Sequence, residues 1–181
     1  MKLQNISLVS FGNFDNYFLQ KIADNITNVF FLMVHLKEGH LDLSEFYDPA
    51  RRQYDANKLL FELENHYATD DSKTIGLFNV DFFIPIFTYI FGQAFLNGRT
   101  GIASISRLSN ESYGIESDEN LLLERFSKEI IHELGHTFGL IHCSIPDCVM
   151  RSGTYVEDID QKKSDLCPKC REQFFLERLK D

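Results

Sequence analysis

Basic residues are in short supply. The chain of 181 residues carries 18 Lys and Arg against 27 Asp and Glu, a formal charge of −9. That balance excludes broad electrostatic binding to nucleic acid or to anionic membrane surfaces. Long apolar runs are missing too. The most apolar stretch, FFIPIFTYIF at residues 82–91, is too short to span a bilayer and contains Pro85. The first residues do not read as an export signal, because Asn5 and Ser7 interrupt their apolar stretch and Asn13, Asp15 and Asn16 follow at once. Internal repeats, low-complexity tracts and dividing linkers are all absent, so residues 1–181 are expected to form one domain. Cysteine is scarce, with four in all and none before residue 143. The expected compartment is the cytoplasm, where four cysteines do not pair as disulfides.

What is present reads as an α/β fold. Residues 5–11 read as a strand and 15–27 as an amphipathic helix with Phe18, Ile22 and Ile26 at helical spacing. Residues 29–36 read as a second, largely buried strand, 55–68 as a helix and 74–80 as a third strand. This order predicts a mostly parallel sheet covered by helices. Residues 84–95 and 101–108 are two further strand candidates, and the intervening LNGRTG turn predicts an antiparallel neighbour. Pro85 suits an edge, since proline cannot donate a ladder hydrogen bond. Such an edge is either the plain end of a sheet or a place for an extended peptide to pair. A long helix begins near Ser117, its predicted N-cap, with Leu122, Phe126, Ile130 and Leu134 along one apolar stripe. The last forty residues are short, polar and cysteine-containing, closed by a helix at 171–179.

The long helix runs into HELGHTFGLIHC, residues 132–143, which holds three of the six histidines. On a helix His132 and His136 emerge from the same face, and two neutral imidazoles held this way suit zinc. Glu133 is offset around the helix, so it can miss the metal and still reach a water on it as general base. His142 could not join them if the helix continued. Gly139 can end the helix in the left-handed conformation and bring His142 back as a third ligand, which leaves one position open, as in catalytic zinc. Histidines that merely cap or line a helix end are the plain alternative, and His35, His40 and His66 are read so. The motif as a whole should arise by chance in roughly one chain in a hundred thousand.

Cys143, Cys148, Cys167 and Cys170 follow in the pattern C-x4-C then C-x2-C. Four thiolates make a closed tetrahedral set suited to a structural zinc, although iron fits the same ligands. In extended chain the adjacent His142 and Cys143 point to opposite sides, so they are expected to serve two metals, one catalytic and one structural zinc per chain. The second site would brace the loop that carries the third histidine.

These residues carry a resemblance. HELGHTFGLIH resembles the metzincin form of the zinc-protease signature, and Met150 lies where a metzincin places the methionine of its Met-turn. With CxM and CPKC added, residues 132–170 resemble the archaemetzincin family, and 91–108 resemble that family's edge-strand region more loosely. The resemblance implies a compact metzincin-like domain. Its twisted, mostly parallel sheet has one antiparallel edge strand, helices pack on the sheet, and a long active-site helix leads to a cysteine-rich zinc-binding C-terminal part. It implies hydrolysis of peptide bonds, with Glu133 as base and a peptide substrate aligned along the edge strand near Phe91 to Phe95. Tyr155 is a candidate for oxyanion stabilisation, though it stands five residues past Met150 rather than two. The chain is expected to start at its catalytic domain, to be a monomer, and to be restrained by a narrow cleft that admits short peptides; endopeptidase and aminopeptidase action both stay open. The rival reading is a metal-stabilised binding module with a vestigial histidine site. Lys162, Lys163, Lys169 and Arg171 lend it some basic character, but they read as a solvated face.

Overall fold

The first strand, β1 (Asn5–Phe11), shows how the layers are built. Alternate side chains of a strand face opposite sides of a sheet. Ile6 and Leu8 join one core cluster, and Val9 and Phe11 join another. The same alternation recurs in β5 (Ser72–Phe78) and β9 (Thr100–Ser104): Ile75, Leu77 and Ala103 enter the first cluster, Phe78 and Ile102 the second. Helices α1 (Asn16–Phe30) and α3 (Glu119–Thr137) cover the first face, and α2 (Ala56–Tyr67) covers the second. The computed structural model describes residues 5–179.

Among the described residues the main sheet has five strands. In the order β2-β1-β5-β9-β8, with β2 at Val34–Glu38 and β8 at Gly92–Ala94, all neighbours are parallel except β8 against β9. The register sets Gly92 opposite Ala103 and Ala94 opposite Gly101. A mostly parallel sheet with one antiparallel edge is therefore present, as expected. A second, four-stranded sheet was not anticipated. It joins β3 (Tyr47–Asp48), β4 (Gln53–Asp55), β6 (Phe82–Ile84) and β7 (Phe87–Ile90), strands too short to leave a periodic trace.

Several expected boundaries move. Residues 29–30, read as the start of a buried strand, instead finish α1, where Val29 and Phe30 pack into the core. Phe31 then takes the left-handed conformation (φ +55°), and the strand starts at Val34 as a largely exposed edge. Residues 84–95 are not one strand but parts of β6, β7 and β8, and Pro85 occupies the turn between β6 and β7. Asp118 rather than Ser117 caps α3, accepting a hydrogen bond from the Leu121 amide at 2.9 Å.

Helix α3 runs beneath β8 and β9, with Phe126, Ile130 and Leu134 fully buried on its apolar stripe. Two further helices follow among the described residues, α4 (Val156–Gln161) and α5 (Pro168–Arg178). Phe174 of α5 packs on Phe30 and Phe138, with centroids 5.2 and 5.0 Å apart, so the polar C-terminal part is tied to the main core. No helix among the described residues is long and apolar enough to cross a membrane.

Candidate metal centres and active-site cleft

Helix α3 ends where the motif requires. The Gly139 amide donates to His136 O and the Leu140 amide to Gly135 O, both at 2.9 Å, and Gly139 has φ +85°. These are the paired bonds of a Schellman motif, whose left-handed residue favours glycine. The reversed chain brings His142 beside the helix. Its ring centroid lies 5.2 Å from that of His132 and 5.0 Å from that of His136.

Backbone carbonyls aim the two helical histidines. Nδ1 of His132 lies 2.8 Å from Val149 O and Nδ1 of His136 lies 2.7 Å from Leu140 O. Each pairing makes Nδ1 the donor and leaves Nε2 with a free lone pair. Those two Nε2 atoms stand 3.1 Å apart. Zinc bound at about 2.0–2.1 Å to each nitrogen separates tetrahedral ligands by about 3.3–3.4 Å, so the spacing fits the ion. Burial lowers the pKa of all three histidines, which keeps them neutral as ligands must be.

Glu133 lies at the same place, 4 % exposed, with Oε2 buried and unpartnered. Burial, and then the charge of the neighbouring Glu129 carboxyl, raise the Glu133 pKa well above the usual carboxylate range. A cavity of about 340 Å³ reaches Glu133 and the three histidines. Phe87 and residues 89–94 form one rim and Ser152, Gly153 and Thr154 the other. Tyr89 crosses between them, its hydroxyl donating to Thr154 O at 3.1 Å. Gly92 is required for β8 to lie this close, since a Cβ there would stand 2.8 Å from both Glu133 Cγ and Ile102 O. Met150 is fully buried, its sulfur against Gly135, where any side chain would collide.

The four cysteines converge separately. None is in a disulfide, and their sulfurs lie within 4.8 Å of one another, with Cys143 Sγ and Cys167 Sγ 3.8 Å apart. Zn–S bonds of about 2.3 Å place tetrahedral sulfurs about 3.8 Å apart. Cys167 is the N-cap of α5 and Cys170 lies in its first turn. Pro168, at the first helical position, removes an amide that would have no helical partner there.

The two sets are joined through Val149–Arg151. Val149 O takes His132 Nδ1, the Val149 amide donates to Asp165 O at 3.0 Å, and Met150 O takes the Cys143 amide at 3.0 Å. Two residues of this floor were missed in the sequence. Glu129, four before Glu133, faces the same cavity. Lys162, read as part of a solvated basic face, is only 4 % exposed and lines the cavity as well. Its pKa is lowered by burial, which Glu129 and Glu133 oppose. Tyr155 is 62 % exposed and is not among the cavity residues, and its amide bonds to Asp158 Oδ2 at 2.9 Å.

A helix with two histidines and a buried glutamate beneath an antiparallel edge strand, and a third histidine past a glycine turn, places the chain among metallopeptidases of the metzincin type. A model of Peptidase family M54 matches residues 16–176. An archaemetzincin of Sulfolobus acidocaldarius is 33% identical over 175 residues, covering 94% of this chain and 96% of that one. The crystal structure of the archaemetzincin from Methanopyrus kandleri superposes with a TM-score of 0.85 at 30% identity, covering 99% and 97% of the two chains. A zinc-dependent peptidase from Methanocorpusculum labreanum gives 0.84 at 28% identity, covering 94% and 100%. The chain belongs to peptidase family M54, the archaemetzincins, and is a zinc metallopeptidase.

Proposed function

We propose that the chain hydrolyses short peptides at a zinc held by His132, His136 and His142, with Glu133 as general base, and that Cys143, Cys148, Cys167 and Cys170 hold a second, structural zinc. The observation that carries this reading is the unpartnered, buried Oε2 of Glu133 beside three converging histidines at the end of a cavity. A purely structural site has no use for such a carboxylate.

When bound, zinc polarises the scissile carbonyl and lowers the pKa of a water from about 15.7 toward about 7. Glu133 takes that water's proton and passes it to the leaving amine. His132 and His136 keep their Nε2 atoms aimed into the cavity through the carbonyl bonds on Nδ1. The outer edge of β8, free of any strand partner among the described residues, offers main-chain groups to an extended peptide. Met150 supports the histidines from below. Its contact with Gly135 makes it the Met-turn methionine of this reading.

The cavity of about 340 Å³, at the small end of ligand pockets, and the Tyr89 bridge favour short substrates over folded proteins. The remaining parts of the reading are one catalytic domain with its second metal site within 143–170, a monomer in the cytoplasm, and no nucleic-acid partner. The test is Glu133→Gln. Zinc content should stay at the wild-type value while hydrolysis of a fluorogenic peptide disappears. A variant that still turned over peptide at the wild-type rate would end the assignment of Glu133 as the base.

A further inference from the structure

Lys162 has no part in the steps above, yet it lies at their floor. It follows α4 directly, and its ammonium donates to Arg151 O at 2.6 Å and Val149 O at 3.4 Å. These carbonyls flank Met150, and Val149 O is the same atom that fixes His132 Nδ1. From α3, Glu129 and Glu133 attract the ammonium and Lys128 repels it; from α4, Asp158 attracts it. The neighbouring Lys163 offers a contrast, since it is exposed and paired at the surface with Asp147 at 2.7 Å.

A buried ammonium costs several kcal/mol in lost hydration unless carbonyls and counter-charges offset it, and an apolar side chain of similar size is often no less stable. Stability is therefore a weak reason for a lysine here. Its geometry supplies a better one, because a single side chain bonds to the turn under His132 and lines the same cavity as Glu129 and Glu133. We propose that Lys162 is a positioning residue for peptide hydrolysis: it sets the Val149–Arg151 turn beneath His132 and holds Glu133 in line with the substrate carbonyl. The proposal rests on the assignment of Glu133 as the base. A misplacement of about 1 Å at a reacting group costs about 100-fold in rate, which bounds the expected effect.

The experiment compares Lys162→Met, Lys162→Arg and Lys163→Met in the full chain. The readouts are kcat and KM on a short fluorogenic peptide, zinc count by native mass spectrometry, and the visible absorption of cobalt loaded into the histidine site. Lys162→Met should keep the wild-type zinc count, lose about 10- to 100-fold in kcat with KM within about twofold, and shift the cobalt bands. Lys162→Arg should recover most of the loss, and Lys163→Met should match wild type. If Lys162→Met does not fold, Glu129→Gln combined with Lys162→Met removes charge and counter-charge together, and should fold while keeping the kcat defect.

Wild-type kcat in either variant would overturn the proposal, as would a loss of activity no larger than the loss of zinc. If Glu133→Gln were inactive in the same assay, that result would sink Lys162 alone. If Glu133→Gln kept wild-type turnover, the reading of Glu133 would fall first.

Discussion

The histidine and cysteine clusters lie next to each other, with His142 and Cys143 adjacent in the chain, yet they are built on opposite plans. Two of the histidines stand on one rigid helix, each ring fixed by a carbonyl, and a cavity opens on them from one side. The thiols come from two loops and the start of α5, and none of them lines that cavity. Three nitrogens beside an open space leave room for a water and a substrate, whereas four sulfurs close a tetrahedron. Ligand number and access to the cleft, rather than the metal, separate a proposed catalytic centre from a proposed structural one. The Val149–Arg151 segment lies between them and bonds to both sides.

The sharpest way to break this contrast is His136→Ala. The variant should lose the histidine-site ion and essentially all peptide hydrolysis, while the cysteine ion and the melting temperature stay close to wild type, as seen by native mass spectrometry and calorimetry. Cys167→Ser combined with Cys170→Ser should do the reverse. Loss of several kcal/mol of metal-coupled folding energy should lower Tm by about 10 °C or more, with activity falling only as the His142 loop loosens. Next comes Gly92→Ala, whose methyl would press on Glu133 Cγ and Ile102 O. Steady-state kinetics should show a loss of about 10- to 100-fold in kcat/KM with both ions retained. Tyr155→Phe should change kcat by less than about twofold, because the ring is exposed and outside the cavity. A larger effect would give that hydroxyl the oxyanion role its position argues against.

The convergence of the three histidines was readable in the sequence because its geometry is local. Spacings of four and six residues, with a glycine between, set where three imidazoles meet, and the turn at Gly139 follows from its own φ of +85°. The cysteines were readable for the same reason. Burial of Lys162 was not, since it depends on where α4 ends against α3, and nothing beside a lysine in the chain encodes that. The same limit shifted the second strand. Residues 29–30 are as apolar as a strand core, and only their packing against α3 and α5 makes them the last turn of α1. Short strands fared worst. Residues 84–95 divide among three, and the four-stranded sheet is built from segments of two to four residues.

The measurement that bears most directly on the two-plan account is the zinc count of the wild-type chain by native mass spectrometry, before and after mild chelation. Two ions per chain are predicted, with the histidine-site ion and peptidase activity lost together and the cysteine-site ion retained. A single ion, held by the cysteines in a fully active enzyme, would contradict it.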